Sequence, residues 1–227
     1  MMRFAWFVIA LAALPQDKAK EAEAAFNKMA EGLEKAKTAR IKFTATMEEG
    51  SGGGDKMELK GTICFKEGNK LRIELDDKNL YVCDGAKGRG RVKGELKDAV
   101  DAFKTLSADV ASVETRVTNA LMATEIFKDL TRGANELFGK DQKLKLTEFK
   151  AGEKDGDNLV VSYNAALDDK MPPLHITAWI DAKSSKLVKR KGEVKTGDKV
   201  EFSFSETIEE WAIGVELADD LFKLPEK

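Results

Sequence analysis

One histidine, two cysteines and four prolines in 227 residues leave little from which to build a catalytic or metal centre. A nucleophile needs a base beside it, and His175 stands in the strand-like run Leu174 to Ile180, far in sequence from Cys64 and Cys83. Zinc wants several His or Cys ligands close together, which one His and two separated Cys do not supply locally. No Gly-x-Ser-x-Gly elbow occurs. The carboxylate pairs Asp76-Asp77, Asp168-Asp169 and Asp219-Asp220 are neighbours in turns or at ends. Adjacent strand residues face opposite ways, so these read as solvated charges before they read as acid–base dyads. No catalytic residue, metal or cofactor is assigned, and the chain is read as non-catalytic.

Charge of one sign is also missing. Thirty-eight basic residues face 40 acidic ones, a net charge of −2 that becomes −3 once Arg3 is removed with the leader described below. Without a basic stripe there is no field for nucleic acid or for anionic membranes. No apolar run after Leu14 approaches the roughly twenty residues that span a bilayer. The expectation is a monomer without stable membrane insertion.

The one long apolar run lies at the start. Met1-Met2-Arg3 is a short basic opening, Phe4 to Leu14 is unbroken apolar sequence, and Pro15-Gln16-Asp17-Lys18 turns polar at once. With small residues at Ala10 and Ala12, this matches a secretory signal peptide over residues 1–12, against the alternative of a buried N-terminal strand or helix. Residues 13–227 then form a single domain, periplasmic or secreted, long enough to bury a core without staples.

An oxidising compartment would allow Cys64 and Cys83 to pair. They fall on the first and third strands of a predicted meander, on the same face, about 9.6 Å apart at the usual strand spacing. Disulfide Cα atoms rarely exceed about 7 Å, so two thiols are favoured and a disulfide stays open.

Asp17 to about Ala39 reads as a helix, with Ala22, Phe26, Met29 and Leu33 forming one apolar stripe. Arg40 to Met47 alternates as a half-buried strand, with Ile41, Phe43 and Ala45 on one side. Gly50 to Asp55 is a loop; a phosphate cradle would need Lys-Ser or Lys-Thr and a helix after it, and a strand follows instead. Next come Leu59, Gly61, Ile63 and Phe65 on one face, then Leu71, Ile73 and Leu75, then a short strand from Leu80 to Cys83. Between Gly94 and Gly133 neither Gly nor Pro occurs, and heptads run from Leu96 through Val113 to Phe127. These predict two or three helices packed on a sheet, with a lone coiled-coil dimer as the alternative. Strands return at Leu159 to Tyr163, Leu174 to Asp181, Leu187 to Val194 and Val200 to Ser205. Antiparallel strands on both sides of a helical block make an α+β fold.

Taken in order, Lys60-Gly61-Thr62-Ile63-Cys64-Phe65-Lys66, Leu71-Arg72-Ile73-Glu74-Leu75, the corner Asp84-Gly85-Ala86-Lys87, the hairpin of His175 to Ile180 with Leu187 to Arg190, and the ending Phe222-Lys223-Leu224-Pro225 resemble the LolA-like family of periplasmic outer-membrane lipoprotein carriers. The resemblance implies a strongly curved antiparallel sheet, an incomplete β-barrel, with helices covering its concave face. It further implies an apolar cavity for lipoprotein acyl chains or other lipids. Mapped here, the sheet would contribute Ile41, Phe43, Ile63, Phe65, Leu71, Ile73, Leu80 and Val82. A helical lid over about residues 95–138 would contribute Leu106, Val110, Val113 and Val117. An acyl chain gains about 0.8 kcal/mol per buried CH₂, so a modest pocket suffices. Two positions depart from the family pattern: Glu67 stands where carriers place a lid-latching basic residue, and Gly88-Arg89-Gly90-Arg91 replaces aromatics.

The resemblance implies a carrier or binder working with envelope membrane-protein partners. The alternative is a periplasmic sensor or interaction module that detects lipoproteins or envelope stress through a protein partner. A scaffold whose cavity is filled by its own helices is the third reading.

Overall fold

The computed structural model describes residues 15–50, 56–68, 70–75, 79–92, 94–98, 145–166 and 172–226. The predicted leader, residues 51–55 of the glycine loop, and the lid residues Leu106, Val110, Val113 and Val117 lie outside this set.

Helix α1 runs Pro15–Glu34, and its stripe Ala22, Phe26, Met29 and Leu33 is buried. Lys and Glu fill the other side, so the helix is held by the face it buries. It ends sooner than the predicted Ala39 because Thr38 already belongs to a strand.

Eleven strands follow among the described residues: β1 Thr38–Glu49, β2 Lys56–Lys66, β3 Lys70–Leu75, β4 Asn79–Asp84, β5 Gly88–Val92, β6 Glu95–Asp98, β7 Lys145–Ala151, β8 Asn158–Ala166, β9 Leu174–Asp181, β10 Leu187–Thr196 and β11 Lys199–Ile213. They form one antiparallel sheet in the order β6-β5-β4-β3-β2-β1-β11-β10-β9-β8-β7. The chain leaves at one edge, re-enters at the opposite edge, and returns until β11 lies beside β1. The sheet is open, not closed into a barrel. Register shifts between β1 and β11, β9 and β10, β10 and β11, and β7 and β8 mark where it bends.

The two-residue repeat divides the sheet into two faces. On the inner face, which carries α1, Ala39, Ile41, Phe43, Ala45 and Met47 of β1 join Leu59, Ile63, Leu71, Tyr81, Val161, Tyr163, Ile176, Ala178, Phe202 and Phe204 in one core. Two glycines shape it. A Cβ on Gly61 would stand 2.2 Å from the Phe43 ring, and one on Gly192 would stand 2.1 Å from the Phe204 ring. Each ring lies flat across a neighbouring strand that has no side chain to lift it.

The outer face carries a smaller core made by the end of the chain. After Gly214 the backbone crosses β2 to β5, and a 3-10 turn over Asp219–Phe222 drops Phe222 onto Cys64 and Val82 beside Leu217. Cations tie this strap down. Lys66 donates to the Leu217 carbonyl, Arg72 to that of Leu221, and Arg89 to that of Pro225, at 3.0, 3.0 and 3.2 Å. Lys66 and Lys70 both donate to Asp219 Oδ1 at 2.9 Å.

Glu95–Asp98 corrects the sequence reading, which began the helical lid at about residue 95: these residues form β6, paired with β5. Gly94, at φ 88°, makes the turn that returns the chain. The remaining lid residues, 99–138, fall outside the described set.

Two outcomes are expected. Gly61→Ala and Gly192→Ala should each destabilise the protein by about 1–3 kcal/mol in urea unfolding, because the added methyl overpacks a ring; a gain in stability would contradict this packing. Hydrogen bonds from Lys70 and Lys66 hold the Asp219 carboxyl down to about 2 from its ordinary 3.8. A carboxyl depressed by folding contributes stability above its unfolded pKa and loses it as acid protonates the folded form. Attachment of the strap should therefore be complete above about pH 4 and weaken as pH falls toward 2. The Phe222 amide resonance should report this, and Asp219→Asn should remove the transition.

Candidate functional site

The inner face is where the sequence places a ligand, and register fixes who stands there. Ile41 lies opposite Ile63, Ile63 opposite Ile73, and Ile73 opposite Tyr81. A second row reads Ala39, Phe65, Leu71 and Cys83. Ile41, Phe43, Ile63 and Leu71 are buried, while Phe65 and Ile73 are half-buried against the same core. These six occupy the face predicted for them.

Leu80 and Val82 do not. They stand on the outer face, where Val82 is fully buried under the strap with Leu80 beside it. Tyr81 and Cys83 take the inner positions instead. Leu80-Tyr81-Val82-Cys83 is apolar at both parities, so alternation cannot choose a face; the strap does, because Phe222 needs an apolar seat. The cysteines are corrected by the same reasoning. Cys64 pairs with Arg72 on the outer face and Cys83 with Leu71 on the inner one. Both are free thiols, and burial pushes the Cys64 thiol up.

Helix α1 packs chiefly on β7, β8 and β9. Phe26 seats against Phe149 and Tyr163 with ring centroids 5.5 and 4.8 Å away, in the tilted arrangement aromatic pairs prefer. The apolar face continues beyond this footprint across β1 to β4, where Phe65, Ile73, Leu75 and Cys83 keep part of their surface exposed.

One feature of the inner face is not apolar. Across four strands a row reads Ala178, Arg190, Glu206 and Ala45. Arg190 and Glu206 are 3% and 1% exposed, and Nε of Arg190 donates to Glu206 Oε2 at 2.5 Å. Burial alone would lower the guanidinium's pKa; the Glu206 charge and the Tyr163 hydroxyl outweigh it, and the pKa lies above its ordinary value. Burial in turn pushes the Tyr163 phenol up. Arg190 Nη2 and Glu206 Oε1 have no hydrogen-bond partner among the described residues. Sequence reasoning missed this pair, although a signal existed. Glu206 occupies the same parity as Phe202, Phe204 and Ile208, a charge in an apolar register, and Arg190 shares the parity of Gly192 and Val194.

The outer face bears two shallow grooves. One, of about 410 Å³, is lined by Lys42, Lys60, Thr62, Glu74, Leu80 and Arg91 among others. The other, of about 450 Å³, includes His175, Thr177, Trp179, Lys191 and Glu193. His175 Nδ1 lies 2.6 Å from Asn164 Oδ1. Both grooves mix polar and apolar lining, and neither is the apolar cavity the sequence leads one to expect.

Removing one member of the buried pair should strand the other. Arg190→Ala or Glu206→Ala is expected to cost about 3–5 kcal/mol, whereas the apolar double replacement Arg190→Met with Glu206→Leu should be neutral or stabilising. Chemical denaturation of the three variants checks this.

No family model matches the chain, and no curated protein does. Similar solved structures include a LolA-superfamily protein from Nitrosomonas europaea, at 7% identity and TM-score 0.37, over 89% of this chain and 97% of that one. Another is LprF from Mycobacterium bovis, at 11% identity and TM-score 0.41, over 88% of this chain and 96% of that one. A third is a DUF1329-family protein from Desulfovibrio piger, at 9% identity and TM-score 0.40, over 91% of this chain and 97% of that one. Likeness at this level of superposition transfers neither a site nor a ligand.

Proposed function

We propose that this protein is a non-catalytic, extracytoplasmic binder and carrier of lipid acyl chains, lipoprotein tails among them, taken up on the inner face of the sheet. The observation that carries this reading is an apolar face wider than the helix packed on it. A sheet that needed only a core would present its apolar residues where α1 lies. Here they continue across β1 to β4, where Ile41, Ile63 and Leu71 are buried and Phe65 and Ile73 are half-buried. Apolar surface left partly open to water is unfavourable and is where an apolar ligand would dock. An acyl chain needs no directional partner, and at about 0.8 kcal/mol per buried CH₂ a dozen methylenes give useful affinity.

Protein purified from its native envelope and analysed by native mass spectrometry should carry acyl-containing species. A stable protein partner without lipid would favour the sensor reading, and neither would favour the filled scaffold. Phe65→Asp and Ile73→Asp place a charge on the proposed path. Each should weaken uptake of a fluorescent fatty-acyl probe by about tenfold or more, the scale of one desolvated charge. Because both residues are half-buried, the variants should keep the circular dichroism of the parent. A folded variant with undiminished uptake would remove this face from the path.

A further inference from the structure

We propose that Arg190 and Glu206 form a recognition point for an uncharged lipid headgroup that offers one hydrogen-bond acceptor and one donor, the chemistry of an acylglycerol's ester carbonyl and free hydroxyl. This inference rests on the acyl-chain reading above and adds selectivity to it.

A buried ion pair is ordinarily satisfied on every side, because unmade hydrogen bonds in a dry interior are costly. This one is not. Arg190 Nε donates to Glu206 Oε2 and the guanidinium also bonds the Tyr163 hydroxyl, yet one donor, Nη2, and one acceptor, Oε1, stay unmatched. Both belong to side chains more than nine-tenths buried, in the middle of a face that otherwise presents aliphatic and aromatic groups. Their flanks in the row are Ala178 and Ala45, among the smallest side chains that face contains.

Charge then narrows the partner. The pair is neutral as it stands, so an ionised carboxylate or phosphate would add an uncompensated buried charge. A headgroup with a carbonyl for Nη2 and a hydroxyl for Oε1 completes both bonds without doing so. A simple alkyl ester completes only one and leaves Oε1 unmade. Discrimination by a missing hydrogen bond is strong when the site's own polar group is left buried.

The test compares three oleoyl probes delivered from cyclodextrin to the full mature protein: 1-monooleoylglycerol, methyl oleate and oleate. Each competes against a fluorescent acyl probe. Monooleoylglycerol should bind about tenfold more tightly than methyl oleate, as one hydrogen bond to a charged group implies. The double replacement Arg190→Met with Glu206→Leu should abolish that preference, bringing the two affinities together. Equal affinities in the parent protein would overturn the proposal while leaving the acyl-chain reading intact. So would a retained preference in the double variant, or tighter binding of oleate than of monooleoylglycerol. A lipid-bound crystal structure with a water joining Nη2 to Oε1 would do the same. Failure of the parent to bind any of the three would remove the acyl-chain reading, and this inference with it.

Discussion

Strand backbones turn successive side chains to opposite sides, and in this molecule that constraint decides almost everything else. Along β1, Ala39, Ile41, Phe43, Ala45 and Met47 are buried inward while Arg40 and Lys42 point out to meet Glu210. A slip of one residue would bring those charges into the core. The same alternation places Phe65 and Ile73 beyond the helix, seats Phe222 on the reverse side, and puts Glu206 among phenylalanines. The inner surface is a consequence of phase, maintained strand by strand.

Within that surface the Arg190–Glu206 pair is the local exception. Apolar replacements at both positions would satisfy the packing, so folding alone does not demand charge there. A group kept where it is costly points to something outside the requirements of the core. The Asp84 corner illustrates the opposite case. Its side chain accepts from the backbone amides of Lys87 and Ala86, which hold the carboxyl below the usual range. That is a turn completing its own hydrogen bonds, and it needs no ligand.

Much of this was legible in the residues. The stripe of α1, the inward set of β1 to β3 and the limits of β9 follow from periodicity alone, because each has one apolar side and one charged side. Legibility failed where both sides are apolar or where the decisive partner is distant in sequence. β4 reads the same at either parity, and only the strap, more than a hundred residues later, gives it a phase. β5 went unread because Gly88-Arg89-Gly90-Arg91 carries no apolar side chain, and β6 was misread as the start of the helical lid. The arginines of β5 are explained by Pro225 and Glu226, whose carbonyls they hold. The buried ion pair was visible as a charge out of phase, yet each half resembles an ordinary surface residue until β10 and β11 are set side by side.

The junction of β1 with β11 makes neighbours of two strands far apart in sequence, with Ala39 facing Ile213. Each half of the sheet is a run of short-range hairpins, but the seam between the halves must wait for β11. Closing so distant a contact is slow relative to hairpin formation. Until that moment the nascent protein holds two unjoined flanks, β1 and β11, each with an unmatched row of amides and carbonyls.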